Sequence, residues 1–188
     1  MDPNRKTAII VGILFITAIV TGIILDNPDY PANGSENEHH MFIGTTIEIM
    51  LAVAIVVMPI LMYPILKKHS ISKALGFVGA PLATRYWGYG ILAPIIFSLG
   101  SLIFYYLLYK SKLIPRWLSG WGIIGATMFL ASAFLPLFGY GRSSTIFLLL
   151  HTPGGVNHIV LAVWLIVKGF NPSAIASPRS RAEVIYNE

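Results

Sequence analysis

Five apolar stretches, each near the length needed to cross a lipid bilayer, constrain this chain more than any other feature. The clearest is TAIIVGILFITAIVTGIIL at residues 7–25, which carries no charge. At a rise of 1.5 Å per residue, about 20 such residues cover roughly 30 Å of hydrocarbon. Comparable stretches are read at 41–66, 88–109, 119–138 and 145–167. Lipid offers no partner to backbone polar groups, so such stretches enter it as helices that satisfy their own bonds. The expected class is therefore all-α, a polytopic transmembrane helix bundle of five to six spans. Composition agrees: 55% of residues are hydrophobic and 11% charged, against about a quarter charged in soluble domains. Residues 1–170 are read as a single transmembrane helical domain, and 171–188 as a polar cytoplasmic tail, Pro- and Ser-containing and expected to be poorly packed.

Several function classes lose support at this level. With no cysteine, disulfides, thiolate metal sites and a cysteine nucleophile are excluded. The net charge of +5 sits in short basic clusters beside apolar stretches, a pattern of membrane topology. The partner it implies is the lipid bilayer, with no nucleic acid. The first stretch follows Arg5 and Lys6, lacks a small-residue cleavage site and is long, so it is read as an uncleaved helix.

Charge also bears on the number of crossings. The loop DNPDYPANGSENEHH holds Asp26, Asp29, Glu36 and Glu38 without a Lys or Arg and is expected outside, whereas the lysines of KKHSISK are expected in the cytoplasm. Residues 74–109 contain Pro81, Arg85 and Pro94 and are too short for two full spans and a turn. Yet with five crossings and a cytoplasmic N-terminus, Lys110, Lys112, Arg116, Lys168, Arg179 and Arg181 would all lie outside. One more crossing between Ser72 and Arg85 returns all six inside and leaves only Arg85 and Arg142 out. A short helix that crosses or nearly crosses is expected at ISKALGFVGAPLAT, shielded by its neighbours.

Few residues inside these stretches can carry chemistry. Glu48 lies about seven residues into its helix, roughly 10 Å deep, where a lone ionised carboxylate costs a few kcal/mol and so calls for a proton, a partner or a wet cavity. His151 and His158 are seven residues apart on one helical face, with Pro153, Gly154 and Gly155 expected to break the helix between them. If the last span runs inward, Glu48, His151, Asn157 and His158 converge as an outer-half polar cluster, with His39 and His40 at its mouth. That set is the candidate ligand site. His39, His40, His151 and His158 are the candidate metal ligands, since imidazole suits zinc, copper and iron. No cofactor is favoured: the spacing matches no strong metal signature, and bis-histidine haem needs imidazoles at matching depth on facing helices.

Other motifs have packing explanations. GWGIIG, Gly120 to Gly125, fits a dinucleotide fingerprint in form, but no strand precedes it, and glycines in a bilayer let helices approach closely. Met50, Met58 and Met62 read as apolar filler rather than copper ligands. Trp87, Trp117, Trp121 and the tyrosines from Tyr105 to Tyr109 are expected in an interfacial aromatic belt. No nucleophile elbow, phosphate loop or visible inverted repeat supports a hydrolase or a secondary transporter.

Four segments carry a family resemblance: NRKTAIIVGILFI at the start, MYPILKKHS with ALGFVG, FYYLLYKSKLIPRWLSGWGIIGA in the middle, and VLAVWLIVKGFNPSAIAS near the end. Together the chain resembles the prokaryotic membrane-protein family known as domain of unknown function 4386. The resemblance implies about six helices in a prokaryotic cytoplasmic membrane and supplies no activity. It matches Glu48 to an acidic position of the second span, and it puts His158 where members often carry a Glu. It also implies a fuller span after ALGFVG, with an Arg and a Glu, most of which this chain lacks. The expected function is that of a small-ligand-binding or accessory membrane subunit without enzymatic activity, associating laterally with other subunits or with itself. A proton-coupled transporter using Glu48 and His158 and a metal- or haem-binding redox protein are the alternatives.

Overall fold

The long apolar stretches form helices because each closes its hydrogen bonds within itself. The computed structural model describes residues 2–25, 38–86, 92–141 and 144–175. Its helices are α1 (Pro3–Leu25), α2 (Glu38–Leu66), α3 (Ile71–Tyr86), α4 (Leu92–Ser111), α5 (Arg116–Ser132), α6 (Thr145–Val167) and the single turn α7 (Pro172–Ile175). A 3₁₀ turn, Leu135–Phe138, extends the α5 segment. Five of these segments are long and apolar enough to cross a membrane, and α3 is the short one.

Prolines do not end these helices. Pro59 and Pro64 lie inside α2, Pro81 inside α3 and Pro153 inside α6. The break expected at Pro153–Gly155 is thus absent, and α6 runs unbroken from Thr145 to Val167. A proline removes one backbone donor, and no lipid water competes for the carbonyl it frees, so packing holds the helix together. Here that packing is close: Gly154 meets Gly125 of α5 backbone to backbone.

Each helix packs on its neighbours in sequence, and α1 packs on α6, so α1 to α6 close into a ring. Their directions follow from contacts at the ends. The Arg5 guanidinium, in the first turn of α1, donates to the carbonyls of Leu165 at 2.9 Å and Val167 at 3.1 Å, and also to that of Ile166, at the last turn of α6. Lys68, between α2 and α3, donates to the Ile175 carbonyl at 3.3 Å. The Asn171 amide donates to the Leu113 carbonyl, between α4 and α5, at 2.9 Å. One end of the bundle therefore holds the start of α1, the α2–α3 turn, the α4–α5 turn and the end of α6, and successive helices alternate in direction. Six helices alternating in this way place the two ends of the helical segment, the start of α1 and the end of α6, at the same end of the bundle.

The helix that completes this alternation is α3. Its 16 residues make about 24 Å, short of a full span. It runs antiparallel to α4, with Ala80 against Gly100 and Phe77 stacked on Phe104 at 4.5 Å.

Burial follows the ring. Phe15, Met58, Met62, Leu66, Phe104, Leu108, Leu161 and Leu165 form the core, while Ile13, Val20, Ile60, Ile124, Leu149 and Val163 point outward and are about half exposed. Apolar residues on both faces of a helix are the pattern of a bundle set in lipid. Among the described side chains, the cations Arg5, Lys6, Lys67, Lys68, Lys73, Lys110, Lys112, Arg116 and Lys168 all lie at or next to the shared end, here called the basic face. Packing continues past residue 170: Ala174 and Ile175 are buried against the bundle, in the first residues of the stretch read as tail.

Candidate functional site: a polar group inside the ring

The inward sides of α1, α4, α5 and α6 bring three polar side chains together, in an interior whose other buried polar residues, among those described, carry hydroxyls, such as Ser98 and Ser119, each bonded to the backbone of its own helix. Asn157 is fully buried, and its side-chain amide donates to the Leu118 carbonyl of α5 at 3.0 Å. One turn along α5, Gly122 is covered by the ring of Tyr105 from α4, which is 1% exposed. His158, next to Asn157, lies with its ring 5.8 Å from that of Tyr105 and 5.6 Å from that of Phe15 on α1, and it bonds back to the Gly154 backbone. The fit depends on Gly122, since a Cβ there would collide with the Tyr105 ring.

Two polar atoms in this group are buried without a hydrogen-bond partner: the Tyr105 hydroxyl and Asn157 Oδ1. A buried polar group left unsatisfied costs about 1–3 kcal/mol, so native interiors rarely leave one empty-handed. Their side chains pack on the same stretch of α5, the Asn157 Nδ2 on the Leu118 carbonyl and the Tyr105 ring on Gly122. The group offers an acceptor at Asn157, a donor or acceptor at Tyr105 and an imidazole beside them.

The sequence-derived candidates are distributed differently. Counting from the basic face, Glu48 lies 18 residues from the end of α2 and His151 16 residues from the end of α6, about 27 and 24 Å along their helices. Asn157 and His158 lie 10 and 9 residues from that end, about 14 to 15 Å along α6 and therefore deeper toward the basic face than an outer-half cluster requires. Depth pairs Glu48 with His151, but α2 packs on α1 and α3 while α6 packs on α1 and α5. His151 is stacked on Phe147 at 4.0 Å and lies against Phe129 of α5 at 4.1 Å. Glu48 is half-buried on the inward stripe of α2, in register with Gly44, Leu51, Met58 and Met62. Asn157 and His158 are brought together with Tyr105, and Glu48 and His151 are not part of that group.

His39 and His40 belong to the first turn of α2, and their side chains lie outside the described residues, as does Trp87. Among the described residues, no group of three or more His, Asp or Glu side chains is placed to hold one metal ion. His151 and His158 share one helix, so they do not face each other across a haem. The methionines behave as packing: Met58 and Met62 are buried and Met50 faces outward.

Tyr105 is the residue that sequence reasoning missed. By position it belongs with its neighbours in the expected aromatic belt, which Tyr106 and Tyr109 do join: both are 40% exposed, with Lys73 over the Tyr106 ring and Arg116 over that of Tyr109. Tyr105 points about 100° away from Tyr106 and shares its stripe with Ser98 and Leu108, both buried. That offset was the available signal.

The family of unknown function designated DUF4386 matches the chain over residues 8–85 and 80–169. The chain belongs to this family. The two matched pieces meet at residues 80–85, inside the short helix α3. Among curated proteins and solved structures, none matches the chain.

Proposed function

We propose that this DUF4386 member is a small-ligand-binding, non-enzymatic accessory subunit of a prokaryotic cytoplasmic membrane, with Tyr105, Asn157 and His158 as its ligand-facing group. The observation that carries this reading is the pair of buried, unpartnered atoms, the Tyr105 hydroxyl and Asn157 Oδ1, beside the His158 ring. A neutral ligand with one hydrogen-bond donor and one acceptor satisfies both, and the surrounding rings of Phe15 and Phe104 suit an apolar body. The excess of Lys and Arg at the basic face supports a cytoplasmic placement of that face, and with it of the N-terminus.

The test is native mass spectrometry of gently extracted protein. The reading expects a small adduct on the wild type that is lost in Tyr105→Phe and Asn157→Leu while both variants stay folded. A wild type without any adduct, or variants that keep it, would overturn it.

A second reading, proton-coupled transport, has one observation in its favour: Glu48 stands on the inward stripe of α2. It expects flux in reconstituted vesicles that depends on pH between about 5 and 8 and disappears in Glu48→Gln. Flux that ignores pH would sink it.

A further inference from the structure

A groove of about 590 Å³ opens at the basic face, between the α4–α5 turn and the end of α6, its Trp164 six residues, about 9 Å, beyond His158 along α6. We propose that it binds the phosphate headgroup of an anionic phospholipid from the leaflet on that side. Three of its lining residues are cations, Lys112, Arg116 and Lys168, and among the described residues no acidic side chain lines it. Apolar surface from Trp164 and Phe170 lies beside them, so the groove offers charge to a headgroup and a hydrophobic wall to the chain below. Trp164 meets Trp117 edge-on at 6.5 Å, and Trp117 is 56% exposed on the outer surface. Tryptophans occupy the headgroup level of bilayers, which sets the groove at the depth of lipid phosphate. Basic pockets between helix ends on the cytoplasmic side are suited to anionic headgroups.

The groove is preformed by its backbone. Lys112 adopts a left-handed conformation, φ 56°, where a glycine would be unstrained. Gly169, φ 77°, ends α6 across the groove. Asn171 ties the two walls together, its amide donating to the Leu113 carbonyl and its side chain to that of Lys112 at 3.4 Å. The α5 helix starts at Arg116 after Pro115, with no side-chain cap on its first donors, so its positive end adds to the field of the cations.

The experiment uses the full chain in nanodiscs containing equal phosphatidylglycerol and phosphatidylcholine, with retained lipid counted by native mass spectrometry. The wild type is expected to hold one phosphatidylglycerol at least tenfold over phosphatidylcholine, an enrichment that falls between 50 and 500 mM salt as charges are screened, roughly in step with the shortening Debye length. Arg116→Gln with Lys168→Gln should bring the ratio near one, while Lys67→Gln with Lys73→Gln, on the same face outside the groove, should keep it. No preference in the wild type, an equal loss in the control pair, or a preference insensitive to salt would overturn the proposal. Displacement of the lipid by millimolar inorganic phosphate would overturn it as well, because the site would then serve a free anion. The salt series on the wild type decides the question even if the groove variant fails to fold.

Discussion

Single residues decide what the interior of this bundle can do. The Tyr105 hydroxyl sits where a phenylalanine would pack equally well, so its sign of contribution reports its surroundings. With an occupant bonded to it, Tyr105→Phe is expected to lower stability by about 1 kcal/mol. After the occupant is stripped by exhaustive detergent exchange, the same substitution is expected to be neutral or stabilising, because it removes an unsatisfied buried group. Thermal unfolding of both samples checks this, and a variant as stable as the wild type before stripping would count against an occupant. Glu48, Asn157 and His158 were legible in the sequence as polar groups in apolar helices, because the cost of a polar atom in lipid is a local property. Tyr105 was not, because a tyrosine near a helix end is equally at home in an interface, and only rotation about the α4 axis separates it from Tyr106.

Among the elements, glycines set how closely the helices approach. GWGIIG is a packing seam, as its spacing suggested, but its partners lie within the chain: Gly122 receives Tyr105 and Gly125 receives Gly154, with a Cβ on Gly125 only 2.8 Å from the Gly154 Cα. Backbone cannot yield as a side chain does, so Gly125→Ala is expected to cost roughly 1–3 kcal/mol. Gly120, whose Cβ would meet only the Tyr109 ring at 3.9 Å, is the control; Gly120→Ala should be neutral or stabilising by up to about 1 kcal/mol through helix propensity. Comparable melting temperatures for the two variants would refute the seam. A second element-level device joins the α2–α3 turn to α7. His69 is held below its usual pKa by burial and by the neighbouring Lys68, with a hydrogen bond to the Ala174 backbone opposing both. In the unfolded chain it titrates near its ordinary value, about 6.5. The unfolded state therefore binds more protons as pH falls below that value, and the stability present above about 6.5 declines toward the lowered folded pKa. The ring is largely exposed, so the slope is small. It should vanish in His69→Gln when unfolding is followed from pH 7.5 to 5; an unchanged slope would assign it elsewhere.

At the scale of the whole molecule, the number of crossings, which turns on whether α3 crosses, is the property most open to test. The chain has no cysteine, so single cysteines report sidedness directly. Cysteines at Lys67 and Lys112 are expected to be labelled by a membrane-impermeant reagent from the same side, and one at Ser144 from the opposite side. Labelling of Lys67 and Lys112 from opposite sides would break the ring topology. By itself the sequence determined the class and the position of five spans, since length and apolar content are one-dimensional quantities that a bilayer reads directly, while charge and length pulled the count of crossings in opposite directions. Only the tertiary structure decided which polar residues meet. That outcome depends on the order of helices around the ring and on how each is turned about its axis, both set by contacts such as Gly125 with Gly154 and Gly122 with Tyr105. Depth along a helix can be counted in residues. Neighbourhood across the ring cannot, and so depth alone pairs Glu48 with His151 while the folded ring closes Tyr105 on Asn157 and His158.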